Sequence, residues 1–403
     1  MVKFSATGCL LALGALSTAR AVCDDVDTFL NVPSPLTGDM TINLSVGVIQ
    51  CDIMDPETNP EEVTTIVVEG GTLTIQSDDT VQFINVAFLV FPGAALVFDM
   101  PETLFGPNDN VFDGDFPFGS LVEVTAGGSL TFTGDVTFRE IEHAGDILDV
   151  SGNAEFKKTF LSVDNPGGIR VTNGVLRFRG DTNFRGNDFA NIVNSDGGFV
   201  RFSTTVTFDD SGSSDAGNGD GCVLINEGAD SRMSFRGDAF FINSRCTSSE
   251  APPVYNNGEM TFFGRARFND NTSGSNGGAV RNQFGSMTFR RAVQFNNNLS
   301  EGNGGAIAVD GGDVTFRRGV RFNGNTAEES GGAFSVLFSE RIRRGLVDDS
   351  GFGSLTFERP SAVRFVDNIV DNPRRDDGCT VGEVGEGTTL IGFPDDDVCV
   401  AAM

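Results

Sequence analysis

Between residues 258 and 336 one unit is written three times in succession. In register the copies read GEMTFFGRARFNDNTSGSNGGAV, GSMTFRRAVQFNNNLSEGNGGAI and GDVTFRRGVRFNGNTAEESGGAF. Their first Phe residues, Phe262, Phe289 and Phe316, recur every 27 residues, and a second Phe follows six residues later at Phe268, Phe295 and Phe322. The pairs Gly277-Gly278, Gly304-Gly305 and Gly331-Gly332 keep the same period. A fixed period of this length marks a chain that stacks one supersecondary unit on the next.

Inside the unit the periodicity is that of strands. In GSMTFRRAVQF, Met287 and Phe289 alternate with Thr288 and Arg290, and Val293 and Phe295 then flank Gln294. Apolar residues recur at i and i+2, not at i, i+3 and i+4, and glycine interrupts every unit, so a helix is excluded. A third short strand follows Gly-Gly, as in Gly305-Ala306-Ile307. With looser spelling the first Phe can be followed through Phe132, Phe156, Phe178, Phe202 and Phe235 to the triplet, and onward to Phe357. A two-sheet sandwich would not hold one register over so many units. Three short strands per turn at constant register predict an all-β parallel β-helix in which each strand pairs with its equivalent one turn away.

Composition agrees with that geometry. Phe is present 37 times, Gly 51 times, Tyr once and Trp not at all. One flat, uniform ring tiles a ladder along a stack of strands. The same stacking places Asn271, Asn298, Asn325 and Asn368 in one column, each three residues after its second Phe. Asparagines so stacked bond amide to amide. Asn271-Thr272-Ser273 and Asn298-Leu299-Ser300 are formal glycosylation sequons, but their Asn are ladder positions, so Asn43 of Asn43-Leu44-Ser45 is the expected glycosylation site.

The segment 1–21 reads as a secretory signal: Lys3, an apolar run from Phe4 to Leu16, and the small-x-small site Ala19-Arg20-Ala21. The run is too short to span a bilayer, so the expectation is a soluble, secreted, extracellular chain with no membrane span. Removing Cys9 with the signal leaves Cys23, Cys51, Cys222, Cys246, Cys379 and Cys399. An even count in an exported chain reads as disulfides. Six cysteines allow 15 connectivities, and spacings near one turn favour the local pairs Cys23–Cys51, Cys222–Cys246 and Cys379–Cys399. The expected organisation is an N-terminal cap over 22–65, the β-helix over 66–370 and a C-terminal cap or tail over 371–403. Two stretches break the period and read as protruding loops, Asp209 to Gly221 and Ser339 to Gly351.

The tetrapeptides Gly-Gly-Ala-Val 277–280, Gly-Gly-Ala-Ile 304–307 and Gly-Gly-Ala-Phe 331–334 accompany Phe-x-x-Asn at 268–271, 295–298, 322–325 and 365–368. Phe-x-x-Asn extends back to Phe184–Asn187 and Phe240–Asn243. This pairing resembles the GGAI and FxxN repeats of chlamydial polymorphic outer membrane proteins, among right-handed parallel β-helix (pectin-lyase-like) proteins. The resemblance implies a right-handed coil and a surface-exposed adhesin role. No long alternating barrel-forming region follows the repeats, so a stand-alone β-helix without an autotransporter barrel is expected.

The net charge of −28 argues against nucleic acid or an anionic membrane as partner. Enzymes on such a fold cut or epimerise acidic polysaccharides with clustered Asp, His, Lys, Arg or Tyr. Here His143 is alone, Tyr255 sits in a loop-like context beside Pro252-Pro253, and the pairs Asp209-Asp210 and Asp348-Asp349 are chain neighbours rather than a separated acid and base. No enzyme, and no resident cofactor, is expected; the alternative is a polysaccharide lyase, hydrolase or epimerase acting on acidic glycans. Calcium is a candidate at Asp215, Asn218 and Asp220 or at Asp395 to Asp397, though neither loop has a recognised calcium spacing. The sharpest surface feature is basic. Arg267, Arg290, Arg317 and Arg321 alternate outward and would stack into a stripe that pairs sulfate or carboxylate groups. The opposing expectation is that Asp and Glu of adjacent columns neutralise them. A third use, ice or mineral binding, rests on one column of Thr131, Thr261, Thr288, Thr315 and Thr356. The function expected is extracellular recognition, adhesion or matrix structure, with an extracellular polysaccharide or cell-surface component as partner.

Overall fold

The structure, a computed structural model, describes residues 2–5, 20–23, 39–44, 48–54, 64–84, 86–106, 120–139, 141, 146–163, 168–187, 190–211, 223–246, 252–337, 354–359, 362–370, 382–385, 389–391 and 399–401. The chain divides into two compact units, 1–183 and 184–403. Each is a stack of parallel coils, the parallel β-helix that the period predicts.

In the second unit a first-Phe sheet stacks Phe199–Phe202, Arg232–Phe235, Glu259–Phe262, Ser286–Phe289, Asp313–Phe316 and Ser354–Phe357 in strict register. A second-Phe sheet stacks Val206–Asp209, Ala239–Ile242, Ala266–Asn269, Val293–Asn296, Val320–Asn323 and Val363–Val366. A third sheet runs through Ile192–Ser195, Leu224–Asn226, Val254–Asn256, Val280–Gln283, Ile307–Asp310 and Phe334–Leu337. Beyond the three expected strands per turn, a fourth sheet of two-residue strands follows the Asn column, from Arg245–Cys246 to Ile369–Val370. Tyr255, expected in a loop, lies on a strand of the third sheet, and its hydroxyl donates to Gln283 Oε1.

The first unit repeats the three-sheet plan with shorter turns, for example Gly71–Gln76, Ala94–Asp99, Ser129–Phe132, Asn153–Phe156 and Val175–Phe178. Parallel pairing already begins at Met40–Asn43, inside the segment read as an N-terminal cap. It continues through Gly382–Gly385 and Cys399–Ala401, inside the segment read as a C-terminal cap. Among the described residues of the first unit two pairings are antiparallel, Val2–Ser5 on Thr65 to Val68 and Arg20–Cys23 on Cys51 to Met54. The second sets Cys23 directly opposite Cys51 along the backbone.

Why these residues form a core is plain from the rings. Phe202, Phe235, Phe262, Phe289, Phe316 and Phe357 stack at centroid separations of 4.5–5.1 Å, with interplanar angles of 12° or less. A second ladder of Phe208, Phe241, Phe268, Phe295, Phe322 and Phe365 runs beside it and meets it edge to face, as between Phe268 and Phe289 at 6.2 Å and 85°. Offset stacking and edge-to-face contact are the two favoured aromatic geometries, so both directions of contact are satisfied at once. Register at the corner is held by the Gly pairs. Gly277, Gly304 and Gly331 have φ of +81°, +73° and +66°, a region closed to most side chains. The following Gly305 is constrained by space: a Cβ there would lie 2.1 Å from the Gly332 carbonyl oxygen.

The Asn column forms as expected and is fully buried at Asn271, Asn298 and Asn325. Asn271 Nδ2 donates to Asn298 Oδ1 at 2.9 Å, Asn298 Nδ2 to Asn325 Oδ1 at 2.8 Å, and Asn325 Nδ2 to Asn368 Oδ1 at 2.8 Å. The column extends back by a different residue from the one the motif suggests. Asn243 of Phe240–Asn243 is exposed at φ +53°, and buried Ser244, three residues after Phe241, takes the ladder position. Its backbone N–H donates to Asn271 Oδ1. Asn43, by contrast, is exposed on its strand. Passage through a glycosylating secretory route should therefore modify Asn43 and leave Asn271 and Asn298 bare; glycopeptide mass spectrometry checks this, and a glycan on Asn298 would contradict the buried ladder.

Candidate functional site

The four arginines of the expected stripe are all exposed. The coil sorts them into two columns flanking one corner. In the second-Phe sheet the outward column is Phe240, Arg267, Gln294, Arg321, Arg364, set by strict register. At the end of the first-Phe strands the backbone steps Phe263, Arg290, Arg317, Glu358 from one coil to the next. Arg291, Arg318 and Arg359 lie one residue further on and are exposed as well. Strand spacing puts successive members of a column ~4.8 Å apart.

Aromatic neighbours hold some of these guanidiniums in place. The Arg290 guanidinium lies over the Phe263 ring at 4.5 Å and that of Arg236 at 5.6 Å from the same centroid, while Arg267 lies over Phe240 at 5.8 Å. Cation–π contact orders the charge without neutralising it. Neutralisation of the four by adjacent acids, the opposing expectation, occurs once among the described residues: Arg317 meets Glu358 at 3.5 Å, both side chains 47% exposed. Arg321 Nη2 donates to Asn323 Oδ1 at 3.4 Å. Among the described residues, Arg267, Arg290 and Arg321 thus meet no carboxylate within ion-pair distance, and planar guanidiniums suit sulfate or carboxylate oxygens.

Periodicity did not reveal a second polar column. Asn194, Asn226, Asn256 and Asn282 form another buried amide ladder, with bonds of 2.7, 2.7 and 2.6 Å. Their sequence intervals of 32, 30 and 26 residues vary with the intervening loops, which hides the column from a fixed-period search. The Thr column is real over Thr261, Thr288, Thr315 and Thr356 but is one residue wide, because the neighbouring outward row is Glu259, Ser286, Asp313, Ser354. Thr131 is not continuous with it; its register partners are Val97 and Glu155.

The first unit holds a carboxylate cluster on the outward side of its third sheet. Register aligns Glu123 with Asp149, Asp149 with Arg170, and Ser120 with Asp146. Arg170 Nε donates to Asp146 Oδ2 at 2.7 Å, and Asp149 Oδ1 is buried without a hydrogen-bond donor. Burial pushes all three carboxyls above their ordinary range. Asp146 adds to the push on Asp149, Asp149 adds to that on Glu123, and Arg170 opposes it at Asp146 and Asp149. A carboxyl with a raised folded pKa stabilises the fold when protonated, and that contribution is lost as pH rises from the ordinary carboxylate range through the folded value. Asp149→Asn is therefore expected to raise the melting temperature at pH 7 by about 1–3 °C. The gain should vanish as pH falls below about 4, the ordinary carboxylate value; a gain that grows on acidification would reverse the assignment.

Cys246 is buried and disulfide-bonded. Cys222 and Cys379 lie outside the described residues, as do His143, Asp348-Asp349, the calcium candidates Asp215, Asn218, Asp220 and Asp395 to Asp397, and most of both protruding loops. Among the described residues no group of three His, Cys, Asp or Glu could hold a metal ion. No helix among them is long and apolar enough to cross a membrane.

No curated protein and no solved structure matches the chain. Residues 292–310, the coil carrying Phe295, Asn298 and the Gly304-Gly305 corner, match the Chlamydia polymorphic membrane protein repeat. The chain is a parallel β-helix with one coil similar to that membrane-protein repeat.

Proposed function

We propose that this is a secreted, non-enzymatic β-helix that recognises an extracellular polyanion, a sulfated or carboxylated polysaccharide, through its arginine corner. The observation that carries the reading is the pair of columns around Arg267, Arg290, Arg317 and Arg321, all exposed, with Arg267 and Arg290 set over Phe240 and Phe263 and one ion pair among the described residues. A rigid coil fixes the spacing of the charges before binding, so little ordering cost falls on association. The outer-surface family of the matching repeat supports a role in adhesion. Calorimetric titration with two polymers of one backbone, sulfated and unsulfated, tests this. Binding of the sulfated polymer alone, weakening with salt, is expected; equal binding of both would refute it.

A second reading, cleavage or epimerisation of an acidic glycan, is favoured by the Glu123–Asp149 cluster, whose raised carboxyls are suited to proton donation. New reducing ends or unsaturated uronate absorbance, abolished by Asp149→Asn, would establish it in place of the first.

A further inference from the structure

Eight non-glycine residues among those described have positive φ. Seven are Asn or Asp, which tolerate the left-handed region; the eighth is Phe284, at φ +57°. It is also the one exposed large aromatic among the described residues, at 44%. In the coil above, Gly311 occupies the same corner at φ +78°, the residue that geometry favours. The coil below turns with one residue fewer, passing from Asn256 through Asn257-Gly258 to Glu259. Phe284 is therefore both strained and solvent-facing, and neither property helps the fold. Strain kept at an exposed position points to use of the side chain.

Phe284 stands in an open notch of about 390 Å³, bordered by Asn257, Glu259, Ser286, Gly311 and Asp313. The ring, 44% exposed, borders the same notch as the Ser286 hydroxyl and the Glu259 and Asp313 carboxylates. Glu259 also meets Arg232 at 3.4 Å, and Asp313 Oδ1 accepts the Ser354 hydroxyl. The two carboxylates repel an anionic ligand and accept hydrogen bonds from hydroxyls. We infer that this notch is a second binding site, distinct from the arginine corner, for an uncharged hexopyranose unit of a glycan. The C–H face of the sugar lies on Phe284, and its hydroxyls donate to Glu259 and Asp313. A flat, all-equatorial β-linked glucoside presents the broadest C–H face to such a ring.

Cellotriose is the probe, read by saturation-transfer NMR and by titration against the full chain. Signal concentrated on the ring C–H protons is expected. Phe284→Gly and Phe284→Asn, both suited to positive φ, should weaken binding at least tenfold and keep the melting temperature within about 2 °C of wild type. Binding unchanged in both variants would overturn the site. So would a loss of more than about 5 °C in both, which would make Phe284 a structural anchor. Absence of binding to cellotriose and to the β-galactoside and N-acetylglucosamine trisaccharides would overturn the ligand class.

Discussion

Replacing Arg290, Arg317 and Arg321 together by Ser is expected to weaken binding of a sulfated polysaccharide about a thousandfold, each guanidinium removed being worth roughly a factor of ten. The three residues stand in both columns of the corner, so the triple variant removes charge from each flank of the surface a polymer would follow. Arg317 should be the least effective single change, because Glu358 already occupies it at 3.5 Å. Arg290 should be the most effective, since its guanidinium is ordered over Phe263 and meets no carboxylate among the described residues. Stability should be almost unaffected, exposed arginines adding little. Salt dependence should flatten in the triple variant as fewer counter-charges are displaced. Full retention on a sulfated-glycan column after the triple change would show that the polymer binds elsewhere.

The largest effect on stability belongs to Asn298→Ala. Asn298 Oδ1 accepts the Asn271 backbone N–H at 3.2 Å and Asn271 Nδ2 at 2.9 Å, while its Nδ2 donates to the Phe268 carbonyl at 3.0 Å and to Asn325 Oδ1 at 2.8 Å. Alanine removes all four bonds and leaves the buried Asn271 backbone N–H without its acceptor, while Asn325 Oδ1 keeps the backbone N–H of residue 298 and Asn271 Nδ2 keeps the Phe241 carbonyl. At about 1–3 kcal/mol for a buried group left unpaired and about 1 kcal/mol for each other bond lost, the expected cost is about 3–5 kcal/mol. The unfolding midpoint should fall by roughly 10 °C. Asn297→Gly is the control. Asn297 is exposed at φ +54°, which glycine adopts freely, so its replacement should cost under about 0.5 kcal/mol. Thermal or chemical unfolding of the two variants side by side measures the difference, and equal midpoints would deny the ladder its role.

Much of the coil is legible in the sequence because the repeat fixes register. Once Phe262, Phe289 and Phe316 are aligned, the ring ladders, the Asn column and the Gly-Gly corners follow from a period of two within strands and 27 between them. Where turn length varies, the register is lost. The column Asn194, Asn226, Asn256, Asn282 passes through corners of different length, and the shift from Phe240–Asn243 to Phe241–Ser244 depends on which residue faces inward. The arginines could be named by alternation alone. Their division into two columns, the rings beneath Arg267 and Arg290, and the single ion pair at Arg317 could not, since these depend on how neighbouring coils align. The Glu123–Asp149 alignment is hidden for the same reason, because the two residues meet only through pairing between coils. That Phe284 is exposed and at positive φ is likewise not written in the repeat.

Recognition of a polyanion at the arginine corner is best probed by locating the bound polymer on the surface. A sulfated oligosaccharide carrying a photoreactive group at one end would be crosslinked to the full chain and the modified peptides mapped by mass spectrometry. Crosslinks are expected within 263–267, 290–294 and 317–321, the three stretches that carry the arginine corner from coil to coil. Crosslinks that avoid these stretches and gather elsewhere would contradict polyanion recognition by the corner.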